Sequence, residues 1–180
     1  MVEEQGNKLS TDELITTCIL LLNAGHEATV HTMGNGIKAL IEHGSNPEWF
    51  KEDVIDRCVE EILRYDPPLH MFTRYCYEAC DLFGHHFERG DQVALMLGST
   101  GRNPEVWQEA DQFDPTRAIK KNTAFGGGIH FCDGAPLARL ELRVALPILF
   151  ERHPNMAFET PPVYGDVYHF HGLEALKVTL

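Results

Sequence analysis

The chain has 180 residues, of which 43% are hydrophobic and 23% are charged, a composition typical of one soluble globular domain with a substantial core. Its formal net charge of −12 disfavours nucleic acid and anionic membrane surfaces as partners, because both are negatively charged themselves. We therefore expect neither a nucleic-acid-binding protein nor a membrane protein.

The beginning of the chain predicts no targeting segment. The run MVEEQGNKLSTDEL is polar and acidic, and it lacks the basic and apolar regions of a secretory signal. The most apolar run, around residues 18–24, is much shorter than the roughly 20 residues that span a bilayer. Five cysteines at irregular spacing argue against a disulfide framework and favour reduced thiols or a ligand role. We expect a cytoplasmic protein.

A long helix is predicted first, over residues 10–44. The sequence STDE at its start fits a capping box, in which Ser10 caps the helix and Glu13 reaches back to it. Gly44 is typical of the residue that follows a helix end. Three glycines inside the helix each cost about 0.5–1 kcal/mol relative to alanine, so close approach by a ligand or another backbone is expected there. These glycines are Gly25, Gly34 and Gly36.

Two further helical segments are predicted before the middle of the chain. Asn46 and Pro47 are typical of the cap and the first turn of a helix that begins with NPEWFKED. The run VIDRCVEEILRY continues as a helix and ends before a pair of prolines. Glu61 and Arg64 are three residues apart in this run, so they share one helix face.

The second half of the chain mixes strands, loops and one long helix. Residues 71–97 predict β structure, because FTRYCY and QVALML are strand-like and ERGD is typical of a turn between them. GRNPEVW predicts a short helix, and residues 110–124 predict a loop without clear periodicity. The final helix is predicted over residues 135–152, where Pro147 either kinks the helix or is tolerated. Short strands and turns follow, which completes one α+β unit.

The run FGGGIHFCDG places one thiol between a glycine-rich turn and the start of the last helix. A helix N-terminus offers unpaired N–H groups and a partial positive charge, which favour a thiolate there. Glycines let backbone N–H groups approach the sulfur and let a flat ligand lie against the chain. A buried structural cysteine is the ordinary alternative for a single thiol. Five positions match F-x-x-G-x-H-x-C-x-G and favour a nucleophile or a metal ligand, namely Phe125, Gly128, His130, Cys132 and Gly134.

With the following APLARLE, this segment resembles the haem loop of the cytochrome P450 superfamily, the haem-thiolate monooxygenases. Four other runs are similar to parts of that family and stand in the same order. They are AGHEAT in the oxygen-activating stretch of a long central helix, EEILRYDPP with the E-x-x-R pair, the run from TRYCYE to NPEVW in the next β region and short helix, and DQFDPTR in the meander. The resemblance is to soluble bacterial members and covers essentially the whole chain.

The resemblance implies an α+β, mainly α fold that corresponds to the C-terminal half of the cytochrome P450 fold. Its parts would be a long central helix, the E-x-x-R helix, a small β-sheet, the meander, the haem-thiolate loop and the helix after it. Residues 1–180 would form a single partial haem-binding domain, without the N-terminal half of the family fold.

The resemblance implies haem b as cofactor and assigns residues to it. Cys132 would be the proximal thiolate ligand of the haem iron, which favours O–O cleavage. Phe125 would pack beside the haem near the sulfur, and His130 and Arg74 would contact its propionates. A surface arginine in a strand is an equally good explanation of Arg74. The remaining cofactor contacts would be made by the glycine backbone at Gly126 and Gly134.

For Glu61 and Arg64 the resemblance implies a structural role. On a helix surface such a pair adds only about 0.2–0.5 kcal/mol, but in the family it is buried and holds the meander under the haem. The usual third partner is an arginine just before the meander phenylalanine. Here Gln112 precedes Phe113, so that contact loses its charge, and Arg117 is the candidate replacement.

Four residues of the first helix take catalytic roles by the same resemblance. Gly25 would let the helix open beside the iron and make room for dioxygen, and Glu27 would serve a proton relay. The next position usually carries an alcohol, but it is Ala28 in this chain. Thr29, an ordered water or a substrate hydroxyl would therefore have to steer protonation. Without such a group, the reaction would release hydrogen peroxide.

The implied function is a monooxygenase that inserts oxygen from dioxygen into a small apolar substrate. Electrons would come from a ferredoxin or a flavoprotein reductase. Because the family's catalytic unit is more than twice as long, we expect a lone chain to be incomplete and to need a homodimer or a complementing chain. Four basic residues would form a docking patch for the reductase, with a solvated charged face as the alternative: Lys120, Lys121, Arg139 and Arg143.

A second possible function is a non-catalytic haem-binding or pseudo-enzyme module, used for sensing or for binding a partner. The short chain and Ala28 favour it. Production of hydrogen peroxide without any product would distinguish this function from a monooxygenase. A Cys–His nucleophile made of His130 and Cys132 is a further alternative, but two residues in one loop have poor geometry for it and no third orienting group is evident.

A zinc-binding protein is the last alternative. Two cysteines and two histidines in the predicted β region have the composition of a zinc site, namely Cys76, Cys80, His85 and His86. In an extended strand, however, four residues span roughly 13 Å. The two thiols would share one metal ion only if the chain turned between them.

Overall fold

The computed structural model describes residues 3–4 and 7–180. Within them, four α-helices run over Thr11–Glu42 (α1), Ile55–Tyr65 (α2), Leu97–Thr100 (α3) and Ala135–Arg152 (α4). Short 3-10 helices lie at Pro47–Phe50 and Gly128–His130. No helix in the described part of the chain is both long and apolar enough to cross a lipid bilayer.

The strands form small antiparallel pairs. β1 (Glu3–Glu4) pairs with β2 (Asn7–Lys8), β3 (Phe72–Tyr75) with β6 (Gln92–Leu95), and β4 (Cys80–Leu82) with β5 (His85–Phe87). Near the end of the chain, β7 (Ala157–Phe158) pairs with β10 (Val178–Thr179), and β8 (Val163–Tyr164) pairs with β9 (Leu173–Ala175). The predicted β region and the strands of the tail are therefore present, as short hairpins attached to a helical body.

The predicted first helix is confirmed as one continuous α-helix. Glu13 N–H donates to Ser10 Oγ at 3.2 Å, and Ser10 N–H donates to Glu13 Oε2 at 2.8 Å, which is the reciprocal capping box. Gly44 follows the helix end with φ of 95°, a backbone conformation that favours glycine. At Gly36 a Cβ atom would lie 3.0 Å from Ile62 Cγ2, so this glycine lets α1 and α2 approach closely.

The core lies where α2, α4 and the second half of α1 meet. α2 buries nearly all of one face, and its strongly amphipathic pattern explains why it packs between the two longer helices. Polar residues of α1 before residue 31 remain exposed together with several leucines. The side chains with at most 1% exposure at the centre of this core are Leu40, Cys58, Ile62, Leu63, Leu142 and Leu146.

Two predicted helical segments differ from the structure. NPEWFKED forms only a 3-10 turn, because Lys51 has an extended backbone (ψ of 149°) that breaks the helix before α2 starts. GRNPEVW forms a turn, not a helix, and the short helix α3 precedes it. Asn103 accounts for the turn, since its side-chain oxygen accepts a hydrogen bond from Glu105 N–H at 2.9 Å and competes with helix formation. The final helix α4 has the predicted bounds and continues through Pro147.

Candidate functional site

The thiol loop has a backbone that its glycines make possible. Gly126 and Gly128 have φ of 71° and 67°, the left-handed region that other residues rarely adopt. The loop closes by a hydrogen bond from Cys132 N–H to Phe125 O at 3.1 Å. Ala135, the first residue of α4, donates its N–H to Cys132 O at 3.2 Å. The cysteine therefore stands directly before the N-terminus of α4, as the sequence predicts.

The sulfur of Cys132 is available for a ligand. Its side chain is exposed, and within the described residues no group donates to or accepts from Cys132 Sγ. A Cβ atom added at Gly134 would lie 3.7 Å from the sulfur, so the absence of a side chain there keeps one side of it open. α4 has no side-chain cap at its start, although the N–H groups of Ala135 and Ala138 donate to Cys132 O and Gly134 O. This arrangement suits an exchangeable ligand better than a buried structural thiol.

Large apolar side chains share the loop with Cys132. Phe125 is half-buried against the core, and the Arg139 guanidinium lies 4.7 Å from its ring centroid. Ile129 is 96% exposed and Phe131 is 42% exposed, which is unusual for large apolar residues in a short loop. His130 lies between them and is exposed as well. A flat apolar molecule against this loop would bury these side chains, with His130 at its polar edge.

A cleft lies between α1 and α4. It has a volume of about 610 Å³ and is lined by Gly25 and Thr29 from α1 and by Leu140 and Val144 from α4. Leu140 and Val144 are about half exposed, so they offer apolar surface to a molecule in the cleft. The structure thus brings two of the predicted α1 residues to the helix that begins beside Cys132.

Glu27 and Ala28 occupy different positions from the cleft residues. Glu27 lines a second surface cavity of about 540 Å³, together with His26 and His31. Ala28 is half-buried, and its carbonyl oxygen accepts a hydrogen bond from Thr32 Oγ1 at 2.7 Å. The opening of the helix expected at Gly25 is not seen, since α1 is regular there. A glycine permits such an opening, but the i→i+4 hydrogen bonds of a continuous helix favour the closed form.

Arg74 is exposed on β3, opposite Val93 of β6. Its Nη1 donates to Thr73 O at 2.9 Å, and no carboxylate of the described chain lies within ion-pair distance of it. An unpaired guanidinium at the surface remains available for an anionic group of a ligand, and it equally fits the alternative of a surface arginine in a strand.

Glu61 and Arg64 form a buried, fully satisfied ion pair. Both residues are 2% exposed, and Arg64 donates to both Glu61 carboxylate oxygens, at 2.8 Å and 2.7 Å. The remaining guanidinium N–H groups donate to backbone carbonyls of the segment that follows α3, which accounts for all five donors. Those carbonyls belong to Gly101, Ala110 and Gln112. The pair therefore attaches the meander to α2.

Arg117 places a second guanidinium beside Glu61, in the role for which it was the candidate replacement. Its Nε lies 3.3 Å from Glu61 Oε2, and its Nη1 donates to Gln108 O at 2.7 Å. Asp114 N–H adds a further hydrogen bond to Glu61 Oε1 at 2.8 Å. The charge absent at Gln112 is thus restored from a position five residues further along the chain.

The four basic residues predicted as a docking patch are partly neutralised. Arg139 forms an ion pair with Glu60, and Arg143 Nε lies 3.6 Å from Asp56 Oδ1. Lys120 Nζ lies 5.7 Å from the centroid of the Trp107 ring. Because two of the four charges have acidic partners on α2, the field of this patch is weaker than the sequence indicates.

The four predicted zinc ligands do not converge. His86 Nδ1 lies 2.9 Å from Asp81 Oδ1, so this ring is engaged by a carboxylate. The two thiols are closer than the strand argument allows, since Cys76 Sγ and Cys80 Sγ lie 3.9 Å apart. The chain leaves β3 after Tyr75 and turns before β4, which makes the premise of a 13 Å span wrong. Two sulfur atoms alone are nevertheless too few for a structural zinc site.

A cluster that sequence reasoning missed joins Asp66, His70 and His171. Among the described residues it is the one group of three whose ligand atoms lie within 4.8 Å of one another. His171 Nε2 lies 3.1 Å from Asp66 Oδ1, and Tyr164 O–H donates to the other carboxylate oxygen. The His70 and His171 rings stack with centroids 3.9 Å apart. Burial, followed by the charge of His171, lowers the pKa of His70. No signal in the sequence relates His171 to Asp66, which follows the end of α2, because only tertiary packing brings these two residues together.

Comparison with known proteins places this geometry in a family. Residues 53–157 match the family model for cytochrome P450. The chain is 39% identical over 98% of its length to the cytochrome P450 monooxygenase PikC of Streptomyces venezuelae, of which it covers 44%. It is 40% identical over 96% of its length to the biotin biosynthesis cytochrome P450 of Bacillus subtilis (strain 168), of which it covers 45%.

Two solved structures are similar to this fold. The crystal structure of P450BioI in complex with hexadec-9Z-enoic acid ligated acyl carrier protein matches with a TM-score of 0.90 and 38% identity, over 97% of this chain and 46% of that chain. The Bacillus subtilis 168 bacillaene polyketide synthase cytochrome P450 PksS matches with a TM-score of 0.92 and 36% identity, over 99% of this chain and 47% of that one. The chain spans about half the length of the relatives it matches.

Proposed function

The chain belongs to the cytochrome P450 family, and from this we propose that it is the haem-binding part of a monooxygenase that inserts oxygen from dioxygen into a small apolar substrate. The observation that carries the proposal is the exposed sulfur of Cys132, without a partner in the described chain, at the start of α4. Residues 1–180 would act as one haem-binding unit. Haem with a thiolate ligand activates dioxygen at its iron.

The residues around Cys132 fit haem b. Cys132 would ligate the iron, and the left-handed turns at Gly126 and Gly128 keep Cβ atoms away from the face of a flat ring. Gly134 leaves space beside the sulfur, and Phe125 would pack next to it. The exposed apolar surface of the loop and of the α1–α4 cleft would be covered by the same ring.

The propionates of haem need cationic or hydrogen-bonding partners. Arg74 is suited to this role because its guanidinium is exposed and has no acidic partner in the described chain. His130 is suited because it projects from the loop that holds Cys132. These two side chains would fix the orientation of the cofactor, and the buried Glu61–Arg64 pair would hold the meander that supports it.

Proton delivery would come from α1. Thr29 lines the cleft between α1 and α4, and it is the one residue with a side-chain alcohol in that lining. Glu27 lies on the neighbouring cavity and would exchange protons with solvent. Ala28 has no polar atom in its side chain, so it neither holds nor moves a proton. We therefore propose that protons reach the cleft less directly than they would if residue 28 carried an alcohol. As a consequence, part of the consumed oxygen would be released as hydrogen peroxide.

The substitution Ala28→Thr is expected to increase the share of consumed oxygen that appears in product, because it places a hydroxyl at the position where the family usually carries an alcohol. General acid–base groups typically contribute a factor of about 10²–10⁴ in rate, so even a partial contribution is measurable. The measurement is the ratio of hydrogen peroxide to product per oxygen consumed. Ala28→Val is the matched control, since it has nearly the same shape without the hydroxyl. Equal coupling in both variants would contradict the proposed role of residue 28.

Relatives support an apolar substrate. One is named vitamin D(3) 25-hydroxylase of Pseudonocardia autotrophica, and a similar structure holds testosterone. We propose a substrate of comparable apolarity for this chain and a ferredoxin or flavoprotein reductase as electron donor. We also propose a cytoplasmic location, which agrees with the free state of all five cysteines.

Another protein surface would be needed to cover the first half of α1. Leu20, Leu21 and Leu22 are 64%, 65% and 75% exposed, and soluble proteins rarely leave such contiguous apolar residues uncovered. We propose that a second copy of the chain or a complementing chain covers them. A dry, closed site for oxygen chemistry would then depend on that assembly.

The test of the proposed function is the absorbance of the haem-loaded protein after reduction, with and without carbon monoxide. A strongly red-shifted Soret band is expected, since a thiolate ligand raises electron density at the iron. A band at the shorter wavelength of haem with a neutral ligand, or failure to bind haem, would contradict the proposal. The second candidate, a non-catalytic haem-binding module, is favoured by Ala28. It would give the red-shifted band but only hydrogen peroxide on turnover.

A further inference from the structure

The pair Cys76 and Cys80 has no part in the proposed haem site, and its geometry is unusual. The sulfur atoms lie 3.9 Å apart, although the two residues belong to different hairpins. Cys76 directly follows β3, and Cys80 is the first residue of β4. The turn at residues 77–79 brings the two thiols to the same side of the junction.

Backbone hydrogen bonds hold both cysteines in place. Cys76 N–H donates to Asp91 O at 2.8 Å, and Cys76 O accepts from Gly90 N–H at 2.7 Å. Cys80 pairs with Phe87 in the β4–β5 ladder. The backbone bonds fix both Cα positions, and the Cys76 thiol is itself held by a hydrogen bond to Glu78 O at 2.8 Å.

We propose that Cys76 and Cys80 form a redox-active dithiol, which a peroxide converts to an intramolecular disulfide. A disulfide bond is about 2.05 Å long, so the two sulfur atoms, which now lie 3.9 Å apart, must come closer by about 1.9 Å. Rotation of the two side chains and a small shift of the turn would achieve this. The inference is independent of the proposed function, because it requires neither haem nor Cys132.

Solvent reaches the pair, and no third ligand competes for it. Cys80 is exposed and Cys76 is half-buried, so a small oxidant can approach. His86 is held by Asp81 at 2.9 Å and lies 3.5 Å from Glu88, which keeps its ring away from the thiols. Within the part of the chain that the structure describes, the pair belongs to no cluster of three metal-ligating side chains. Oxidation therefore suits the pair better than metal binding.

The chemistry requires two steps and one equivalent of hydrogen peroxide. The thiolate of Cys80, the more exposed residue, attacks one peroxide oxygen, which gives a sulfenic acid and releases hydroxide. The Cys76 sulfur then attacks the sulfenic sulfur, the S–S bond forms, and water leaves. In total, two thiols and one hydrogen peroxide give one disulfide and two waters. A dithiol reductant reverses the change by thiol–disulfide exchange.

The ionisation of Cys76 bears on the rate of the second step. Desolvation, followed by the hydrogen bond with Cys80 and its charge, raises the pKa of Cys76, and the hydrogen bond to Glu78 O partly offsets this rise. Cys76 is therefore protonated near neutral pH. Because the thiolate is the reactive form, we expect the disulfide to form faster under mildly alkaline conditions.

The disulfide would connect the end of β3 to the start of β4. Arg74 lies two residues before Cys76 on the same strand. The cross-link would therefore restrict the strand that carries the guanidinium proposed to contact an anionic group of a cofactor. Oxidation and ligand binding at Arg74 would then be coupled through β3.

Peptide mapping of the full chain tests this inference. The tryptic peptide from Tyr75 to Arg89 contains both cysteines and no others, so its mass reports their state directly. After one equivalent of hydrogen peroxide, we expect the mass of this peptide to fall by the mass of two hydrogen atoms. We also expect the peptide no longer to react with iodoacetamide. Dithiothreitol should restore both. The exposed Cys18, in a different peptide, should remain alkylated and provides the internal control.

Variants separate the dithiol from other outcomes. Cys80→Ser is expected to leave Cys76 alkylated, while Cys18→Ser should behave like the unaltered chain. The inference would be overturned if Cys76 and Cys80 both still reacted with iodoacetamide at a peroxide dose that already oxidises Cys18. So would a disulfide between two chains, or stoichiometric zinc that is bound by the chain and lost in Cys80→Ser.

Discussion

Replacement of Glu61 by glutamine is expected to lower the free energy of unfolding by about 3–5 kcal/mol, because it leaves a buried guanidinium without its counter-charge. Arg64 is 2% exposed, so water cannot solvate the charge in place of the carboxylate. The glutamine amide also provides one acceptor oxygen where the carboxylate provides two. At least one of the groups that now donate to Glu61, which include Arg64, Asp114 N–H and Arg117, would lose its partner.

The measurement is urea unfolding followed by far-UV circular dichroism. Glu48→Gln is the matched control, since Glu48 and Lys51 also form an i,i+3 ion pair, with side chains 64% and 57% exposed. An exposed pair contributes only about 0.2–1 kcal/mol, so the control should change stability little. If both variants lost the same small amount, the Glu61–Arg64 pair would not hold the meander to α2, contrary to our interpretation.

The substitution Cys132→Ser is expected to abolish the red-shifted Soret band of the reduced, carbon monoxide-treated protein. A serine oxygen is a poor substitute for a thiolate, because the sulfur supplies the electron density that shifts the band. The fold should survive, since the Cys132 side chain is exposed and makes no hydrogen bond within the described chain. The far-UV circular dichroism spectrum should therefore remain unchanged.

The control for this variant is Cys18→Ser, which removes an exposed thiol from α1, far from the loop in sequence. It should keep the red-shifted band and the same haem content. An unchanged band in Cys132→Ser would show that another residue ligates the iron. Loss of the band in both variants would point to a general effect of removing surface thiols.

Local chemistry in the sequence predicted several elements correctly. The capping box at Ser10 and Glu13, the glycine after α1 and the bounds of α4 depend on residues within one turn of each other. The helix that carries Glu61 and Arg64 and the strand region after it were also predicted. The resemblance to cytochrome P450 rested on short motifs and is confirmed by the family match. The roles of Cys132 and its neighbours in haem binding stay predictions.

Local pattern failed where a longer-range contact competes with it. GRNPEVW has the composition of a helix start, but its Asn103 side chain and the bonds from Arg64 to this segment impose a turn. The four basic residues near Cys132 looked like one patch, yet α2 supplies Glu60 and Asp56 to two of them. Charge counting along the chain does not include partners that are brought in by packing.

By itself, the sequence determined the three longest helices, the thiol at a helix start and the family to which the chain belongs, because each depends on residues that are close along the chain. Only the tertiary structure decided which side chains from distant parts of the chain come into contact. It gave Glu61 its second cation from Arg117, brought the Cys76 and Cys80 sulfurs to 3.9 Å, and joined Asp66 to His171. The reason is physical: such contacts depend on how helices and hairpins pack, and packing is set by the whole buried surface, which no single segment encodes.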